Sequence, residues 1–282
     1  FCAMEGEDED STDERAFGRK KPWQKIIILA AGSLMNLACA IVIMCLIAGI
    51  YGFTTTTLGE VESGSPAALA GLEPNDKILS VTTDKVYKIE AWNDISTAIN
   101  TVKDGQSVSV EYEREGKTHT ADIKPTVVNG VDAQGNTVSR YVLGITCKIS
   151  HNPAKAAVAG VQSTWNLTKM MFSAIGQIFT GKVGADELTG PVGMVQMVSQ
   201  TTKYGVSYYA SLVALICINL AIVNMLPLPA LDGGRIIFVL YSAITKKPVS
   251  EKVEGIVHLV GLALLMMLMV YVTFNDVLRI FD

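Results

Sequence analysis

Asn224-Met225-Leu226-Pro227-Leu228-Pro229-Ala230-Leu231-Asp232-Gly233-Gly234 is the stretch on which the reading of this chain turns. It closes an uncharged run from Tyr204 to Leu231, longer than the roughly 20 apolar residues a helix needs to cross a bilayer core. The run ends in an acid. A carboxylate in that position is costly to bury, so it faces a protein interior and calls for a partner such as a cation or a metal. Pro227 and Pro229 each remove a backbone donor and break the helix, and the freed carbonyls must be satisfied by other protein or by a wet cavity. The pattern is that of a built site.

Outward from this stretch, the composition sets the class. The chain has 282 residues, 49% of them hydrophobic and 18% charged, which fits a membrane protein carrying one water-exposed domain. Its net charge of −4 conceals a clustering. Seven acids (Glu5, Glu7, Asp8, Glu9, Asp10, Asp13, Glu14) crowd the first fourteen residues and leave the remainder at about +3, so no nucleic-acid partner is indicated. The five cysteines, at 2, 39, 45, 147 and 217, show no C-x-x-C spacing and indicate neither a disulfide framework nor a cysteine zinc site. Phe1-Cys2-Ala3-Met4 reads as the end of a strand, so the expected start lies upstream.

Residues 1–25 pass from the acids to a basic group, Arg15, Arg19, Lys20, Lys21 and Lys25, with Pro22 and Trp23 before the first hydrophobic run. That order predicts a cytoplasmic end. Residues 26–53 read as a transmembrane helix. Residues 54–150 read as an extracytoplasmic α/β module: a strand near Leu58 to Val61, a short helix around Pro66 to Leu72, a turn at Glu73-Pro74-Asn75-Asp76, a strand from Lys77 to Val81, a helix over 91–102, and a hairpin of Ser107 to Glu113 with Lys117 to Ile123. Residues 151–203 read as an amphipathic surface helix followed by a loop at Gly190-Pro191-Val192-Gly193, because Gln162, Ser163, Thr164, Asn166, Thr168 and Lys169 crowd the helix centre. Residues 204–245 then read as a spanning helix carrying the opening motif, and 255–275 as a third span. The expected class is a polytopic α-helical membrane protein with an inserted PDZ-like domain.

The full string from Asn219 onward is similar to the N-x-x-P-x-P-x-L-D-G-G pattern of the site-2 protease family of intramembrane zinc metalloproteases, with every fixed position filled. The Lys-Pro-Trp entry, Ala31-Gly32 with Asn36, the Gly-Pro-Val-Gly segment and a single module signed by Gly71-Leu72-Glu73-Pro74-Asn75-Asp76-Lys77-Ile78 also resemble its bacterial, regulator-of-sigma-factor branch. Asn75 stands where glycine is usual, and Ser33 where proline is usual. The resemblance implies a hydrolase of the bacterial plasma (inner) membrane. Such a hydrolase would perform regulated intramembrane proteolysis on single-span substrates such as anti-sigma factors or remnant signal peptides. It further implies one zinc ion held by Asp232 and by two histidines of an H-E-x-x-H helix whose glutamate is the general base. Asn224, and more weakly Asn219, would hold the substrate backbone. The PDZ-like module would gate access, by adding a peptide as a strand or by excluding bulk.

No H-E-x-x-H occurs among these 282 residues. His119 lies on a hairpin strand and reads as solvated, His151 lies in a linker, and His258, inside the last span, must face protein and reads as a structural hydrogen-bonding residue. No catalytic residue is therefore expected in this chain, and the general base and the other two zinc ligands are expected upstream of Phe1. The alternative is a pseudoprotease or membrane scaffold that binds peptides through the module. The oligomeric state is not readable.

Overall fold

The computed structural model describes residues 16–103, 105–131, 137–181, 190–246 and 250–281. The acidic cluster and the Phe1-Cys2-Ala3-Met4 strand end lie outside them. In chain order the elements are α1 (Pro22–Tyr51), β1 (Phe53–Val61), α2 (Pro66–Leu69), β2 (Lys77–Thr82), β3 (Val86–Lys88), α3 (Trp92–Ile99), β4 (Val108–Arg114), β5 (Lys117–Ile123), β6 (Thr126–Val131), β7 (Thr137–Val142), β8 (Ile145–Ser150), α4 (Pro153–Phe179), α5 (Pro191–Thr201), α6 (Val206–Asn224), α7 (Asp232–Thr245) and α8 (Glu251–Phe281). They form two compact units, Gly49–Pro153 and the helices on either side of it in sequence.

The Gly49–Pro153 unit is a sheet in the order β5-β4-β2-β1-β8, with β3 also paired to β2 and a separate β6-β7 hairpin. All its pairings are antiparallel. Alternation on β4 turns Val108, Val110 and Tyr112 inward, where they meet Leu58, Ile78, Val81 and Ile123 and the α3 face of Ile95, Ala98 and Ile99. The expected strand, short helix, strand, helix and hairpin all form. Ser65 caps α2 by accepting a bond from the Ala68 N–H, and Asn75 occupies the left-handed region at φ 77°, a conformation asparagine tolerates better than most residues. Glu115 and Gly116 also have positive φ, which tightens the β4-β5 hairpin. The signature turn is fixed by charge. Asp76 is buried, and its carboxylate accepts from Arg114 Nε at 2.7 Å, from a second Arg114 nitrogen at 2.7 Å and from the Glu73 N–H at 2.8 Å. Strands β3, β6, β7 and β8 were not anticipated. β8 pairs with β1 at the far end of the module's sequence, a contact with no local signal.

In the helical unit, α1, α6 and residues Lys252–Leu278 of α8 are long and apolar enough to cross a membrane, as the hydrophobic runs predict. Ala40 of α1 packs with Ala214, Ile218 and Ile222 of α6, and Leu167, Met171 and Ile175 of α4 close over them. The polar centre of α4 is accommodated by local bonding: the buried Thr164 and Thr168 donate to the Gly160 and Thr164 carbonyls one turn back. Gly160 lies against α1 so closely that a Cβ there would sit 2.6 Å from the Cys45 backbone.

Two expectations need correction. Residues 204–245 do not form one helix: α6 stops at Asn224 and α7 starts at Asp232, since the residue before a proline is pushed out of helical conformation. The Gly-Pro-Val-Gly segment is not a loop either. Pro191 opens α5, and the buried Asp276 of α8 accepts from the Gly190 and Gly193 N–H groups at 3.1 and 2.8 Å, serving as that helix's cap from another element.

Candidate active site

The break between α6 and α7 spans residues 225–231, and its backbone donors can be followed one by one. Met225 N–H donates to Ile222 O at 3.1 Å and Leu226 N–H to Val223 O at 3.0 Å, finishing α6. Leu228 N–H donates to Leu226 O at 2.7 Å, and Leu231 N–H to Leu228 O at 3.3 Å. Pro227 and Pro229 have no donor to satisfy. Ala230, with φ 71°, turns its N–H away from its own turn and donates it to Nδ1 of His258 on α8, at 2.9 Å. Every donor of the break is bonded, as a low-dielectric setting requires. Only Ala230 uses a partner outside the break and α6.

Glycines let this turn lie flat. Gly233 and Gly234 are not a reverse turn but the buried first turn of α7. A Cβ on Gly233 would collide with the Leu226 and Met225 carbonyls, and one on Gly234 with the Leu228 carbonyl. On the other side, a Cβ on Gly261 of α8 would collide with Pro229. Both sequence signals, the prolines and the glycine pair, thus serve one purpose: a compact non-helical turn held between α7 and α8.

Asp232 is the product of this arrangement. It is the first residue of α7, behind the extended Leu231, where an anion is favoured by the helix dipole, and it is half-buried. Asn224 is the last residue of α6 and Asn219 lies five residues earlier, both half-buried. Five residues of helix turn through about 140° beyond one full revolution, so the two amides are on different faces; Asn224 adjoins the break, and Asn219 does not.

The histidines fall where the sequence reading puts them. His119 is exposed on β5 and stacked on Tyr112 at 5.6 Å, and His151 is exposed just before α4. His258 is structural, as expected, though sequence alone did not connect it with Ala230. Its Nδ1 is used as an acceptor, so in the neutral ring Nε2 carries the proton. Nε2 is buried without a hydrogen bond, with Glu254 Oε1 at 3.9 Å, beyond bonding distance. Phe238 of α7 meets the ring edge-on at 5.9 Å. Gly261 was also missed. The only available signal was their placement on the last span.

The donor set can be tested against zinc. Asp232 offers hard carboxylate oxygens at a helix terminus and fits as one ligand. Neither His258 nitrogen offers a free lone pair in this bonding pattern. Among the described residues, no group of three or more His, Cys, Asp or Glu side chains could hold a metal ion.

A family profile described as Peptidase family M50 matches residues 1–268. The chain is 34% identical over 284 residues to the regulator of sigma-W protease RasP of Bacillus subtilis, covering 100% of this chain and 65% of that protein. It is 32% identical over 283 residues to the zinc metalloprotease RasP of Oceanobacillus iheyensis, covering 100% and 66%, and 36% identical over 272 residues to a Staphylococcus aureus protein, covering 95% and 63%. The chain thus spans somewhat under two thirds of the length of these curated relatives. Among solved structures, the PDZ domain of an SdrC-like protein of Listeria monocytogenes matches at 24% identity and TM-score 0.26, over 34% of this chain and 88% of that one.

Proposed function

The chain belongs to peptidase family M50, and on that premise we propose that it contributes the Asp232 half of an intramembrane zinc metalloprotease of site-2 type. The observation that carries this is Asp232 itself, set at the start of α7 by a turn whose backbone donors are all bonded. Zinc bound there would polarise a peptide carbonyl and activate water. The remaining two ligands and the general-base glutamate are assigned to residues outside this sequence. What the chain's own residues do is narrower. Asp232 supplies one anionic ligand, and Asn224, at the mouth of the break, holds an unwound substrate backbone with an amide that both donates and accepts. Asn219, on another face, has at most a secondary part. The prolines keep 225–231 from closing into helix, and because the break's own donors are all bonded, an extended peptide there would meet its carbonyls.

The substrates under this reading are single-span membrane proteins, anti-sigma factors or remnant signal peptides, cut within the bilayer of a bacterial plasma membrane. In this reading the basic residues before α1 support a cytoplasmic end, and the Gly49–Pro153 module is assigned to the outside, as a gate on substrate entry. The first turns of α4 then lie at the outer end of α1, and its later half packs along α1 and α6. The decisive experiment measures zinc content and substrate cleavage in the full-length protein with and without Asp232→Ala. Loss of both is expected; unchanged zinc with unchanged cleavage would overturn the proposal.

A further inference from the structure

We propose that His258 is a positioning residue that sets the Asp232 carboxylate by accepting the Ala230 N–H. The inference deepens the reading of Asp232 as a metal ligand and rests on it. Three observations converge. Ala230 holds a left-handed conformation that an alanine adopts only under compulsion, two residues before Asp232. Its N–H is the one donor of the break that no carbonyl of the break or of α6 satisfies, and Nδ1 of His258 meets it at 2.9 Å. The ring is also held: Phe238 stands edge-on to it, and one turn further along α8 Gly261 seats Pro229.

The chemistry requires an acceptor at the δ position of the side chain. Were the acceptor removed, the Ala230 N–H would be left without a partner. The turn would relax toward a conformation that bonds it elsewhere, rotating Leu231 and with it the first residue of α7. Partners that orient metal ligands commonly govern affinity by 10-fold to 100-fold. His258 touches neither a reacting atom nor the metal under this assignment; it acts through Ala230.

The test uses the full-length protein purified in detergent, with His258→Asn, His258→Gln, His258→Leu and Asp232→Ala. Asparagine keeps an acceptor oxygen at the position of Nδ1, whereas glutamine moves it one bond outward and leucine removes it. Zinc retention is read by titration with a competing chelator, beside kcat and KM for a model substrate. The expected result is a loss of zinc affinity of about 10-fold or more in the leucine and glutamine variants, with the asparagine variant close to the parent. Should the leucine variant fail to fold, the asparagine and glutamine pair, alike in polarity, still decides. Equal zinc affinity in all His258 variants, with Asp232→Ala stripped of zinc, would overturn the positioning role and leave the ligand reading intact. Equal loss in the asparagine and glutamine variants would overturn the acceptor geometry. Zinc retained by Asp232→Ala would instead overturn the ligand reading itself.

Discussion

Ala230 occupies a conformation that glycine adopts freely and alanine adopts at a cost of about 1 kcal/mol. Ala230→Gly is therefore expected to leave thermal stability in detergent unchanged or to raise it by up to about 1 kcal/mol, since the relieved strain offsets the greater freedom of the unfolded chain. The neighbouring glycines behave oppositely. Gly233→Ala and Gly261→Ala push a methyl group into carbonyls and into Pro229, so each should destabilise the helical unit by about 1–3 kcal/mol, measurable as a lowered Tm. At this scale the sequence was half legible. Asp232 and Asn224 stand out because prolines, an acid and an amide in an apolar run have few bland explanations. The bond from Ala230 to His258 joins residues 28 apart and follows no helical or strand period, so nothing local announces it.

Between elements, the ties are made by buried carboxylates. Asp76 fastens the signature turn to β4 through Arg114, and the pair raises the guanidinium's pKa. A raised folded value contributes stability below the unfolded pKa and loses it only above the folded one, far beyond any usable pH, so alkali should not loosen this tie. Asp76→Ala removes the buried acceptor of two Arg114 nitrogens and of the Glu73 N–H while Arg114 keeps Glu73 and the Gly71 carbonyl, and is expected to cost the module about 1–3 kcal/mol, read from its unfolding transition. Asp84 offers a pH-sensitive contrast. Its hydrogen bond from Lys103, then that from Gln106, hold its carboxyl below the ordinary 3.8, so its contribution is present above that value and fades as acid carries the pH through the lower folded one. Asp84→Asn should therefore lower stability slightly at neutral pH, flatten the acid limb of the stability profile, and match the parent at the most acidic pH. In the helical unit, Asp276→Ala removes the acceptor for the Gly190 and Gly193 N–H groups and should cost about 1–3 kcal/mol. The hairpin and α3 were readable from alternation and helical period. α5 was not, because Gly-Pro-Val-Gly resembles a turn until a carboxylate from the last helix is seen to cap it.

At the scale of the molecule, the three long apolar helices among the described residues, with the α/β unit, define what a fractionation should show. The protein is expected to stay with membranes through an alkaline carbonate wash, and recovery in the supernatant would contradict the spanning role of α1, α6 and α8. Hydropathy made those spans readable, while the interruption at 225–231 required the prolines to be weighed against an otherwise continuous run. That interruption also bears on movement. The turn touches α7 through two glycines and α8 through a third, each with no room for a single carbon atom, and a hydrogen bond joins it to α8 besides. Packing so tight leaves no slack for the turn to widen alone. If a substrate must be let in, the turn, the start of α7 and the first half of α8 would travel as one lever, hinged where Met225 and Leu226 bond to the last turn of α6.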